Sequence, residues 1–138
     1  MKKFIFFCMM CFPVLLNAQK PFEGKFVNTE FNLRLNLNLY ESNIPQPQFD
    51  DEMCFGVLAG STNGHWVILK VNDITDDKAT VRAISDSGIE AQTLEIRLLK
   101  DNNIEIKQVG STNIRGVKNS KYVKLPKPIP MNRKKSRE

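Results

Sequence analysis

Phe31, Leu33, Leu35, Leu37 and Leu39 alternate with Asn32, Arg34, Asn36 and Asn38. Side chains that recur at every second position line one face of an extended chain, so residues 31–39 are predicted to be a strand with one face in a core and one in water. Leu and Asn are weak strand formers, but no helix gathers alternate residues onto one side. The apolar run 53–60 holds Gly56 and predicts a second strand with a bulge or a close backbone approach at that glycine. Residues 65–71, HWVILKV, are apolar on both faces and predict a central strand. Further short strands are expected at 24–28, 79–84, 93–99, 104–109 and 121–125. The turn residues Asp76-Asp77-Lys78, Asp86-Ser87-Gly88 and Asp101-Asn102-Asn103 separate several of them.

Short strands at regular spacing, with turns between them and no helical periodicity, define an all-β class. The expected architecture is an antiparallel up-and-down meander of about eight strands, closed as a barrel or stacked as a sandwich. Residues 42–52, with Pro45, Pro47 and three acids, are too polar and proline-rich for a strand and predict a loop at one mouth of the sheet. Gly60-Ser61-Thr62-Asn63 recurs as Gly110-Ser111-Thr112-Asn113. The flanking residues do not match, so shared turn chemistry explains the repeat more simply than duplication does.

Gly24-Lys25-Phe26 precedes the first long strand of this meander. The tripeptide resembles the Gly-x-Trp opening of lipocalin-like (calycin) barrels, with Phe26 where that family carries tryptophan. The resemblance implies a barrel whose base is closed by the aromatic residue and whose cup takes small apolar ligands. It assigns no ligand-binding residue.

The two ends read differently from the middle. Lys2 and Lys3 precede an apolar run over 4–16, which is the pattern of a secretory signal peptide. The run is shorter than the roughly 20 residues a bilayer span needs. Cleavage is expected after Ala18. The mature chain is then exported to a bacterial periplasm or beyond, and carries no transmembrane segment. Processing leaves Cys54 as the sole cysteine, which excludes an internal disulfide. Its apolar neighbours predict a buried small hydrophobe. Residues 19–125 are expected to form one β domain held by its core.

The net charge is +5. Lys118, Lys121, Lys124, Lys127, Arg133, Lys134, Lys135 and Arg137 crowd the C-terminal end, and residues 19–117 are slightly acidic. That division argues against a nucleic-acid groove in the fold. Alternating prolines and the charge run predict an extended, solvated tail over 126–138. Contact of that tail with an anionic envelope surface is its functional alternative.

Candidate chemistry is sparse. His65 and Cys54 cannot make a zinc site without distant carboxylates, and no orienting residue accompanies them as a nucleophilic pair. Asp50-Asp51-Glu52 and Asp73, Asp76 and Asp77 read as solvated turns and match no EF-hand spacing. No catalytic residue, metal ligand or cofactor is assigned. Tyr40 and Trp66 are large aromatics that either line a ligand cup or fill the core. The expected function is an exported, non-enzymatic binding protein whose ligand is a small apolar molecule or a protein. Tyr40, Phe49, Asp50, Asp51, Glu52 and Trp66 are the candidate contacts. An inhibitor or immunity-type protein acting through residues 42–52 is the first alternative, and a small enzyme using acidic loop residues is the second. An interior cavity of about 300 Å³ or more is the feature that separates a ligand cup from a protein-binding surface.

Overall fold

The computed structural model describes residues 20–47 and 52–134. In chain order the strands are β1 (Glu23–Asn28), β2 (Leu33–Asn38), β3 (Ile44–Pro45), β4 (Met53–Cys54), β5 (Gly56–Gly60), β6 (Trp66–Ile74), β7 (Lys78–Ser85), β8 (Ala91–Leu98), β9 (Ile104–Val109), β10 (Gly116–Lys118), β11 (Lys121–Val123) and β12 (Ile129–Arg133). Eight of them, β1-β2-β5-β6-β7-β8-β9-β12, close into one antiparallel barrel in which each strand pairs with the next in the chain. The expected all-β meander is therefore a barrel and not a sandwich. The pairs β3-β4 and β10-β11 are small hairpins outside the barrel.

Alternation sets the wall. Leu33, Leu35, Leu37 and Leu39 are buried, while Arg34 is exposed. Asn38 belongs by parity to the water face but is buried. Its Oδ1 accepts from the backbone N–H groups of Tyr40 and Glu41, at 3.0 and 3.2 Å, which holds the turn after β2. Gly56 marks a close approach. A Cβ there would lie 2.9 Å from Leu37 Cδ1 and 3.1 Å from Ile68 Cδ1. The register shifts fall instead in β6, after Ile68 and after Val71.

Phe26, Leu35, Leu58, Ile68, Val81, Leu94, Ile96, Ile106 and Met131 pack as one cluster inside the barrel. An eight-stranded barrel is just wide enough for side chains to fill it, and these fill it. Both ends are stoppered. At the base, the segment before β1 crosses the opening and buries Phe22. At the opposite end, here called the crown, the connection from β9 to β12 buries Ile114 and Leu125 in the same core.

The chain from Pro126 departs from its expected role as a tail. Residues 129–133 are β12, which pairs with β9 and β1 and closes the barrel, with Ile129 and Met131 buried. Residues 121–125, expected as the last barrel strand, contribute instead to the β10-β11 hairpin at the crown. Proline is compatible with β12 because pairing to β1 begins only at Asn132, so the N–H that Pro130 lacks has no ladder position to fill. The Pro130 carbonyl is taken by Asn28 Nδ2 at 2.8 Å. The C-terminal cations up to Lys134 thus belong to the folded domain, and the expected division into an acidic body and a basic tail does not hold. The expected signal segment lies outside the described residues. Among those described, no helix is long and apolar enough to cross a membrane.

Candidate functional site

With the interior filled, accessible chemistry lies on the outer wall and at the two ends. On the outer wall, depressions lie on both flanks of the β3-β4 hairpin. Ile44 pairs with Cys54 and Pro45 with Met53. The hairpin lies against β5 and β6, where Ile44, Cys54 and Val67 form a second buried cluster with Val57 against it. This explains why residues 66–68 are buried on both faces. The barrel core covers Trp66 and Ile68, and the hairpin covers Val67.

A depression of about 450 Å³ flanks the hairpin on one side, lined by Val27, Asn36, Ile44, Pro45, Pro47, Val57, Ala59 and His65, with Lys25, Arg34 and Lys134 among its cations. On the other side is a depression of about 260 Å³ lined by Gln46, Pro47, Val67, Leu69, Ile84 and the turn 85–88. Pro47 lines both. Met53 and Leu69 are 46% and 45% exposed. Apolar and charged side chains mixed over an open surface are the make-up of a docking surface more than of a catalytic pocket.

The sequence-predicted contacts do not converge. Glu52 is exposed on the hairpin, and its carbonyl accepts from Gln46 N–H at 3.0 Å. Phe49, Asp50 and Asp51 lie outside the described residues. Tyr40 is at the base, where its hydroxyl accepts from Phe22 N–H at 3.2 Å and the Lys20 ammonium lies 5.7 Å from its ring centroid. Burial pushes the Tyr40 hydroxyl above its ordinary range. Tyr40 shares a base depression of about 520 Å³ with Pro21, Ile74, Thr75, Asp76, Leu98 and Asn102. Trp66 is fully enclosed near the crown, donating from Nε1 to Asn63 Oδ1 at 3.2 Å. It is a core residue and cannot touch a partner.

The Cys54 thiol is buried, within 3.3 Å of the carbonyls of Ile44 and Gly56, and burial raises its pKa. His65 faces Asp86, with Nδ1 3.4 Å from Oδ2. Each group therefore has its own partners, and they form no nucleophilic pair. Among the described residues, no three histidine, cysteine or carboxylate side chains gather as a metal site would require.

The two Gly-Ser-Thr-Asn segments meet at the crown. Asn63 Nδ2 donates to the Asn113 carbonyl at 2.8 Å, and Asn63 Oδ1 accepts from Arg115 N–H at 3.0 Å. Gln92 Oε1 accepts from Asn113 N–H at 2.8 Å, and Gln108 exchanges two hydrogen bonds with the backbone of Ile114. Buried amides thus fasten the crossover that stoppers the barrel. Sequence reasoning missed Gln92 and Gln108. Their signal was polar residues at inward-facing positions of otherwise apolar strands. Comparison of the chain with family models, curated proteins and solved structures finds no match.

Proposed function

We propose that this protein is an exported, non-enzymatic module that binds another protein through the outer wall around the β3-β4 hairpin. The observation that carries the reading is the hairpin itself, laid on the barrel wall with an open depression on each flank while the barrel interior is occupied by its own side chains. A lipocalin-like resemblance implies a ligand cup, and a filled, doubly stoppered barrel favours the protein-binding version of that inheritance. Inhibitor and immunity-type proteins work in this way, presenting a supported loop to a target.

The rim cations Lys25, Arg34 and Lys134 favour a partner segment with acidic side chains, while Val57, Pro47 and Leu69 favour apolar anchors. The Leu69→Asp, Met53→Asp double variant tests the reading. Both side chains are half exposed, so the barrel folds as before by circular dichroism. Capture of a defined partner from the native cell envelope is expected to weaken about tenfold or more, the loss of a hot spot of about 1.4 kcal/mol. Undiminished capture by the folded variant overturns it.

A further inference from the structure

From Lys107 to Lys134 the chain contains no Asp or Glu, while Lys107, Arg115, Lys118, Lys121, Lys124, Lys127, Arg133 and Lys134 are basic. The central five lie on the crown crossover, and among the described residues none of them has a carboxylate partner within salt-bridge distance. The β10-β11 hairpin shapes this stretch. Asn119 and Ser120 both take positive φ, 54° and 65°, as a tight two-residue hairpin turn requires. Beneath it is a depression of about 600 Å³ whose walls include Thr112, Arg115, Tyr122, Lys124 and Lys127. None of these residues lines either depression beside the β3-β4 hairpin.

Arg115 is fixed here. Asn63 grips its backbone from both sides, and its guanidinium carbon lies 5.3 Å from the Tyr122 ring centroid. Its Nε is enclosed and has no hydrogen-bond partner among the described residues. An enclosed donor without an acceptor is costly, and three cations around one concavity repel each other and focus a positive potential into it. An anion in the depression relieves the repulsion. A carboxylate brings a single charge. A phosphate group brings up to two, with several acceptor oxygens to share among an arginine and two lysines.

We propose that the crown depression binds a phosphate group, with Arg115, Lys124 and Lys127 supplying the positive charge. Tyr122, 64% exposed, gives the rest of the ligand a surface to stack on. The phosphate can belong to a soluble phosphorylated compound or to an envelope lipid or polysaccharide, and the test separates the two. Backbone and arginine Nε–H NMR signals of the folded protein are followed during titration with inorganic phosphate, with glycerol phosphate, and with phosphatidylglycerol vesicles against phosphatidylcholine vesicles. Saturable shifts at Arg115, Tyr122 and Lys124 are expected with at least one phosphate probe. Saturation by glycerol phosphate assigns a soluble ligand, and response to phosphatidylglycerol vesicles alone assigns a surface. The Lys124→Gln, Lys127→Gln double variant is expected to weaken binding about tenfold, and Lys78→Gln, Lys100→Gln at the base end less than about twofold. Absence of crown shifts with every probe overturns the proposal. So does equal weakening by the two variant pairs, which would mark general charge attraction.

Discussion

Arg133 does more to hold the base together than its place in a basic, proline-rich stretch implies. Its guanidinium donates to the carbonyls of Asn102, Glu23 and Pro21 at 2.9, 2.7 and 2.8 Å, and lies 4.6 Å from the Phe26 ring centroid. Gly24 makes room for it, since a Cβ there would lie 2.7 Å from Arg133 Nη1. One side chain thus ties the last strand to the first strand and to the segment that stoppers the base. Arg133→Met keeps the length and apolar stem but strands three carbonyls. It is expected to cost about 2–4 kcal/mol in urea unfolding.

Tyr40 makes a second prediction at this scale. Burial raises its pKa above the ordinary 10.0, chiefly by desolvating the phenolate. A raised folded-state pKa means the stabilising effect is complete below the unfolded value and is lost as pH climbs through the folded one. Cys54 follows the same sign from an ordinary 9.0. The melting temperature is therefore expected to fall from about pH 9 upward, and the Tyr40→Phe, Cys54→Ala double variant to flatten that fall. A slope unchanged in the variant would show that neither group drives it.

At the scale of elements, the eighth strand decides whether a barrel exists. Without β12 the edges of β1 and β9 are left unpaired and Ile129 and Met131 leave the core. Truncation after Leu125 is expected to abolish the cooperative thermal transition, and truncation after Lys134 to preserve it, both read by far-ultraviolet circular dichroism. The strand was hidden in the sequence because Pro126, Pro128 and Pro130 are strong local breakers. What permits them is tertiary: pairing to β1 that starts beyond Pro130, and an Asn28 amide that takes its carbonyl. The leucine strand was legible because one buried face imposes a period of two, which Asn38 alone breaks by turning in to hold the following turn. The double burial of 66–68 was also legible, but its cause was not. Val67 is covered by a hairpin that the sequence offered only as a loop. Aromatics and acids suggested a site at Tyr40, Trp66 and 49–52. Tyr40 lies at the base and Trp66 is enclosed near the crown, because strand parity and topology place side chains, and residue type does not.

At the scale of the molecule, the barrel separates its work by location. The interior supplies stability, the buried amides at the crown fasten a stopper, and the outer wall around the β3-β4 hairpin carries the shaped, half-apolar surface. Exchange of an apolar ligand into such an interior would require displacing packed side chains, each worth about 1.5–3 kcal/mol of burial. The most direct test is photo-cross-linking in the native cell, with a photoreactive residue placed in turn at Pro47, at Leu69 and at Lys107 on the far side of the barrel. Adducts of one common mass from Pro47 and Leu69, and none from Lys107, are the predicted result. The same adduct from all three positions, or a lipid-sized adduct in place of a protein, would contradict it.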